Sequence, residues 1–223
     1  SYSAHATQLR ADLLENYDPR APPVSARNVD YSAAGTDVQL NLRFFKLETV
    51  SVTEGYMNFK VWWRMRWFDN RLSWDPAAYG GITEVRFSAG SFADTENTEI
   101  WVPDVTPYNA QTGLMNSLDP AHALATSDGR VYWSRPGTLS VLCRFSGLIS
   151  FPYGNLTCPI EIGGWQSGGR HQGLTSFDDA SGCATFNEKE ETALVVSAPM
   201  ESVWVYDVYD VFYDHLLHHL HQY

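Results

Sequence analysis

The sequence has few basic residues and no long apolar run. Its 223 residues include 15 Lys and Arg against 26 Asp and Glu, for a formal net charge of -11. Because a nucleic-acid backbone is bound by clustered Lys and Arg, this shortage argues against a nucleic-acid partner, whereas an acidic surface attracts cations. No segment reaches the roughly 18 apolar residues of a transmembrane helix. Since the first ten residues also lack the apolar region of a signal peptide, we expect a mature chain without a membrane span.

Cysteine is also scarce. With three cysteines, the chain forms at most one internal disulfide and leaves one thiol over. The 44% apolar content is enough for a sizeable core, and the length suits one large β-sandwich or two small domains. We favour a single domain over residues 1–223.

Helical patterning is confined to the N terminus. Leu9, Leu13 and Leu14 recur at helical spacing, and the prolines of residues 19–23 forbid continuation. This pattern predicts a short helix over about residues 4–16.

Alternating apolar and polar residues dominate the rest of the chain, as is typical of half-buried strands. On residues 38–44 the inward positions are Val38, Leu40, Leu42 and Phe44, and the outward ones are Gln39, Asn41 and Arg43. On residues 56–67 the inward positions are Met57, Phe59, Val61, Trp63, Met65 and Trp67, and the outward ones are Asn58, Lys60, Arg64 and Arg66. Trp62 is the exception, because it is a large aromatic residue on the polar face.

Further strands are predicted at 130–134, 138–145, 158–163, 192–198 and 201–213. These runs favour an all-β fold, a two-sheet immunoglobulin-like β-sandwich of about ten strands with a short N-terminal helix. The polar, glycine-rich segment 168–191 is interpreted as a long surface loop.

Two cysteines bracket a loop of recognisable composition. Cys143 and Cys158 enclose fourteen residues that include Phe151-Pro152-Tyr153 and the glycosylation acceptor Asn155-Leu156-Thr157. The loop resembles the signature loop of the Cys-loop receptor family, to which nicotinic acetylcholine receptors and soluble acetylcholine-binding proteins belong. Other family-like words occur in the family's order: Tyr17-Asp18-Pro19-Arg20, Trp67-Phe68-Asp69, Trp101-Val102-Pro103-Asp104, Ser127-Asp128-Gly129 and Ile162-Gly163-Gly164-Trp165. The resemblance implies a disulfide between Cys143 and Cys158 and glycosylation at Asn155.

The resemblance also implies a ligand site between neighbouring subunits of a ring, expected to be a homopentamer. The principal subunit would contribute the aromatic residues Tyr108, Trp165, Tyr206 and Tyr213. The adjacent subunit would contribute Trp62, with Tyr132 and Ser134 beside it. Because aromatic faces attract organic cations, the expected ligand is a small cationic or amphipathic molecule. No catalysis, cofactor or metal is implied.

The segment 206–213 departs from the family pattern, because it lacks the adjacent cysteines that receptor α subunits carry there. Acetylcholine itself is therefore not implied. The domain is expected to be extracellular, as a free-standing secreted binding protein, a truncated receptor ectodomain or a structural subunit of a heteromeric receptor.

Other residues have simpler interpretations. The tryptophans at 63, 67, 74 and 101 are expected in the core. The histidines of residues 215–221 lack the spacing of a tetrahedral metal site, and Cys183 is either a free thiol or an intermolecular link. A lectin or glycosidase sandwich is the competing class, in which Glu96, Glu99 or Asp104 would supply the carboxylates.

Overall fold

The fold was analysed in a computed structural model. It describes residues 1–23, 35–90, 96–113, 117–143, 158, 160–165, 172–177, 185–189 and 193–197, with only the backbone at 44–45, 185–189 and 193–197. Within these residues one α-helix is followed by ten strands. Helix α1 is Tyr2–Leu14, and the strands are β1 Thr36–Ser51, β2 Tyr56–Ser73, β3 Glu84–Phe87, β4 Thr106–Pro107, β5 Ala123–Thr126, β6 Asp128–Leu142, β7 Ile160–Gly163, β8 Gln172–Ser176, β9 Thr185–Lys189 and β10 Ala193–Ser197.

The strands form two sheets, which confirms the predicted all-β sandwich with a short N-terminal helix. One sheet has six strands in the order β3-β5-β6-β2-β1-β8, and the other has four in the order β4-β7-β10-β9. Among the described residues, the strand pairings are antiparallel except that of β1 with β8. The helix begins two residues earlier than predicted, and its Leu9 is fully buried against the core.

The central strand β2 supplies much of the core between the sheets. Its odd-numbered positions from Met57 to Trp67 are all buried, as the alternation predicted. Neighbouring strands align their own inward residues with them, so that Leu42 faces Trp63 and Met65 faces Trp133. Since opposite residues on one sheet face touch, these registers produce a continuous apolar layer.

Strand β6 differs from the sequence prediction, which divided it into two strands at 130–134 and 138–145. The strand instead runs through Pro136. The Pro136 carbonyl accepts a hydrogen bond from the Asp119 backbone nitrogen at 2.8 Å. The backbone nitrogen and carbonyl of Pro136 therefore both point away from β2. The missing N–H of proline therefore costs no bond to β2. The next residue must be Gly137, because a Cβ there would lie 2.2 Å from the Ser117 carbonyl oxygen.

The segment 168–191 is not only a loop, since it contains β8 and β9. Strand β8 was missed because its sequence is polar, yet it pairs along β1. Its Gln172 is buried and makes two hydrogen bonds to the backbone of Asp104. The Asp104 N–H donates to Gln172 Oε1 at 3.1 Å, and Gln172 Nε2 donates to the Asp104 carbonyl at 2.9 Å. The predicted strands at 158–163 and 192–198 are confirmed as β7 and β10, and 201–213 lies outside the described residues.

Asn41 and Arg64, which the alternation assigned to the solvent face, are buried instead. The Arg64 guanidinium donates to Asn41 Oδ1 at 2.5 Å, and Asn41 Nδ2 donates to the Phe177 carbonyl at 2.8 Å. Phe177 follows β8 and covers this part of the outer face. The alternation of β1 and β2 could not reveal this cover, because it comes from a distant part of the chain.

A buried carboxylate of β2 joins, through Tyr17, the segment after the helix to the segment before β4. Arg71 donates to both oxygens of Asp69, from Nε at 2.9 Å and from a terminal nitrogen at 2.8 Å. The Tyr17 hydroxyl donates to Asp69 at 2.6 Å and accepts from the Trp101 backbone nitrogen at 3.0 Å. Burial, followed by the nearby Asp69 charge, raises the pKa of Tyr17 far above its ordinary value. The phenol therefore stays protonated and can keep donating.

Replacing Asp69 by Asn should lower the free energy of unfolding by about 3 kcal/mol, because it breaks a buried ion pair and leaves the Arg71 charge without its partner. Chemical denaturation measures the loss. The matched control is Asp128→Asn, which removes an exposed carboxylate paired with Arg130 at 2.8 Å and should change stability little. Equal losses in the two variants would contradict this account of the network.

The predicted disulfide is present between Cys143 and Cys158, with a sequence separation of 15. Cys143 directly follows β6 of the large sheet, and Cys158 shortly precedes β7 of the small sheet. The bond therefore ties the two sheets together. The residues between the cysteines, including Asn155, lie outside the described part of the chain.

The double variant with Cys143→Ser and Cys158→Ser should unfold with a free energy lower by about 3 kcal/mol, since the open loop restores entropy to the unfolded chain. Urea denaturation of the oxidised proteins gives the difference. Cys183→Ser serves as the control, because it keeps the disulfide. A comparable loss in that control would mean that the bond is not the source of the stability.

Candidate functional site

Two exposed aromatic residues lie side by side at one end of the small sheet. Tyr108 directly follows β4, and Trp165 lies two residues after β7, with which β4 pairs. The pairing brings their ring centroids to 6.5 Å at an interplanar angle of 56°. The exposed fractions are 42% for Tyr108 and 72% for Trp165. We call Tyr108 and Trp165 the principal pair.

Hydrogen bonds on both sides hold Tyr108 in place. Its backbone N–H donates to the Glu161 carbonyl at 2.7 Å, and its hydroxyl donates to the Gly164 carbonyl at 2.9 Å. Partial burial and then the charge of Asp104 raise the pKa of Tyr108. The phenol is therefore a neutral donor at physiological pH, and its aromatic ring remains beside Trp165.

A second group of predicted site residues shares the outer face of the large sheet. In the register of β2 with β6, Trp62 faces Pro136, Arg64 faces Ser134 and Arg66 faces Tyr132. Because side chains alternate along a strand, all of these residues point to the same side. Trp62 is 40% exposed, whereas Tyr132 and Ser134 are half-buried. We call Trp62, Ser134 and Tyr132 the complementary group.

Arginines stack on both aromatic rings of the complementary group. The guanidinium carbon of Arg43 lies 5.6 Å from the centroid of the Trp62 ring. That of Arg66 lies 5.5 Å from the Tyr132 ring and 4.0 Å from the Phe177 ring. Sequence reasoning placed Lys60 and Arg64 beside Trp62 but missed these contacts, because they depend on the pairing of β1 with β2 and on the segment after β8.

The structure thus brings the predicted site residues together in two groups on different sheets. Tyr206 and Tyr213 were predicted to join the principal side of the site from segment 206–213, the third loop on that side. Both residues lie outside the described residues. Each group displays aromatic surface that fills no core.

The tryptophans predicted to be structural are confirmed as such. Trp63, Trp67 and Trp101 are buried, and Trp74 is partly buried against the core with its indole N–H donating to the Ile82 carbonyl at 2.7 Å. None of these four rings belongs to the principal pair or the complementary group.

The carboxylates nominated for a glycosidase do not have the required environment. Glu99 binds Arg10 at 2.6 Å and the Ser88 backbone nitrogen at 2.7 Å. Burial alone would raise the pKa of Glu99, but these donors outweigh it and the net shift is downward. A glycosidase acid needs the opposite shift. Asp104 is buried, and its charge acts on the Tyr108 phenol.

The described residues contain no group of three or more His, Cys, Asp or Glu side chains that could hold a metal ion. None of their helices is long and apolar enough to cross a membrane.

Comparison with known proteins gives a consistent set of similarities. A model of the neurotransmitter-gated ion-channel ligand binding domain matches residues 6–209. Acetylcholine receptor subunit alpha-L1 of Schistocerca gregaria is 31% identical over 160 residues, which cover 72% of this chain and 26% of that subunit. Acetylcholine receptor subunit alpha-type unc-63 of Caenorhabditis elegans is 30% identical over 203 residues, or 91% of this chain and 37% of that subunit. The chain thus spans between a quarter and two fifths of the length of these relatives.

The raised pKa of Tyr108 can be tested by ultraviolet absorbance during alkaline titration. The difference between wild type and Tyr108→Phe should show a phenol ionising above pH 10, the ordinary value. Since the folded state favours the protonated phenol, its contribution to stability is complete below pH 10 and is lost as the pH rises through the folded pKa. A difference transition at or below pH 10 would contradict the burial described for this side chain.

Proposed function

The chain belongs to the family of neurotransmitter-gated ion-channel ligand-binding domains, and on that premise we propose that it binds a small cationic or amphipathic ligand between neighbouring subunits of a homopentamer. The principal pair of one subunit and the complementary group of the next form the two walls of the site. Tyr206 and Tyr213 complete the principal wall from the third loop. The binding is not catalytic.

The observation that carries this proposal is the exposed contact between Tyr108 and Trp165. Large aromatic rings are usually buried, and these two form an open surface at the end of a sheet. Each ring attracts an organic cation by about 0.5 to 1 kcal/mol at an exposed site and by more once water is excluded. The negative charge of Asp104 beneath Tyr108 favours a cation at the same place.

The division of the aromatic residues between two sheets supports a site shared by two subunits. The principal pair belongs to the small sheet and the complementary group to the outer face of the large sheet. A closed ring of identical subunits requires two different surfaces on each chain, one for each neighbour. Ligand binding across that contact would favour whichever subunit arrangement brings the two walls closer.

The setting we propose is extracellular, with Asn155 glycosylated and the domain either secreted or forming the ectodomain of a receptor. A second candidate is a structural subunit that does not complete a ligand site. The observation that favours it is the absence of adjacent cysteines from segment 206–213.

A mixing experiment tests the shared site. Trp165→Ala should abolish ligand-dependent quenching of tryptophan fluorescence in an all-variant ring, and so should Trp62→Ala. When the two variants are co-expressed in equal amounts, an interface is intact only if its principal pair comes from the Trp62→Ala chain and its complementary group from the Trp165→Ala chain. Random assembly of the ring places the chains in this order at about a quarter of the interfaces. Calorimetric titration with choline should therefore recover about a quarter of the wild-type sites.

The matched control mixes wild type with Trp74→Phe, an aromatic exchange away from both groups, and should keep all sites. Recovery of no sites from the two inactive variants, in rings whose size matches wild type by light scattering, would contradict a site divided between subunits. Failure of wild type to bind any cationic or amphipathic probe would favour the structural-subunit alternative.

A further inference from the structure

A cation of the protein itself, the Arg43 guanidinium, already lies over the Trp62 ring. Arg43 of β1 stands directly opposite Trp62 of β2, and its guanidinium carbon lies 5.6 Å from the ring centroid. We propose that Arg43 determines ligand specificity, because its guanidinium occupies the aromatic face that an organic cation would otherwise use. This inference rests on the proposed function and narrows the class of ligand.

The contact follows from the strand register. Opposite residues on one face of an antiparallel pair have Cβ atoms about 5 Å apart, so an arginine opposite a tryptophan reaches its ring without leaving the sheet. A guanidinium is planar and weakly hydrated, which makes it a good partner for an aromatic face. The same arrangement recurs farther along β2, where Arg66 faces Tyr132 in the register and lies over its ring.

The charge around Trp62 opposes a second cation. Arg43, Arg64 and Arg66 belong to the same outer face, in a chain whose net charge is -11. A ligand ammonium that approaches Trp62 must displace the guanidinium and then bind among like charges. Repulsion of this kind discriminates between partners as effectively as attraction does.

The principal pair has the opposite electrostatic character. Asp104 is buried beneath Tyr108 and its charge acts on that phenol. A ligand therefore places its cationic group against Tyr108 and Trp165 and turns a neutral or anionic group toward Arg43. The structure favours a dipolar ligand, with its two charges on opposite walls, over a ligand that is cationic throughout.

Choline and betaine provide a matched pair of probes, since both carry a trimethylammonium group and only betaine carries a carboxylate. Calorimetric titrations of the assembled protein should give a choline Kd about 2- to 5-fold lower for Arg43→Gln than for wild type, which is the range expected for one exposed cation–aromatic contact. The betaine Kd should rise or stay the same. Arg43→Lys keeps the charge and should remain close to wild type for both probes.

Two controls separate the contact from a general loss of positive charge. Arg130→Gln removes one exposed arginine from the same face of the sheet, opposite Phe68, and should leave the preference between the two probes unchanged. Without ligand, the emission spectrum should shift on Arg43→Gln in wild type but not in Trp62→Phe.

The outcomes distinguish this inference from the proposed function. If choline binds wild type and binding is lost in Trp165→Ala, but Arg43→Gln leaves both Kd values unchanged, the role of Arg43 is wrong and the shared site stands. If Arg130→Gln tightens choline binding as much as Arg43→Gln does, the effect comes from overall charge and the inference is again wrong. If no variant binds either probe, the proposed ligand class fails and the inference fails with it.

Discussion

Asp69 is fully buried near the end of β2, where Arg71 of the same strand and Tyr17 both donate to its carboxylate. The Tyr17 hydroxyl in turn accepts a hydrogen bond from the Trp101 backbone nitrogen. A buried charge is tolerated only when it is paired and hydrogen-bonded, so Arg71, Tyr17 and the segment that begins at Trp101 must all be in place at once. The network therefore fixes the position of α1 against the sandwich. It also fixes the start of the segment that leads through Asp104 to Tyr108 of the principal pair.

The second constraint is the register of the large sheet. Strand β2 buries its odd-numbered residues, which leaves Trp62 on the opposite face, and that face acquires its character from its neighbours on β1 and β6. A shift of one residue in the strand register would turn the core side chains of β2 outward and its outer side chains inward. The burial of the apolar layer between the sheets therefore keeps Trp62 on the outer face. The stacking of Arg43 on Trp62 is a direct consequence of the same register. Core packing and surface chemistry are thus determined by one set of strand pairings.

The distribution of charge gives the site its polarity. The chain is acidic as a whole, yet the outer face around Trp62 is built from arginines, while a buried aspartate lies under the principal pair. In the ring that we propose, these two surfaces would expose the ligand to opposite fields on its two sides. Net charge alone would have suggested a uniformly negative site that attracts cations.

Local patterning in the sequence was enough to determine the N-terminal helix, the core faces of β1 and β2 and the exposure of Trp62, because alternation and proline positions act within a few residues. The ordered motifs added the disulfide and the residues of both aromatic groups. Contacts between distant segments decided the rest. Strand β6 passes through Pro136 because its backbone edge there faces residues 118–119. Arg64 is buried where it binds Asn41, whose amide donates to the Phe177 carbonyl, and Arg43 meets Trp62 because two strands pair in one register. Such contacts join residues that are far apart in the chain, and no local periodicity encodes them.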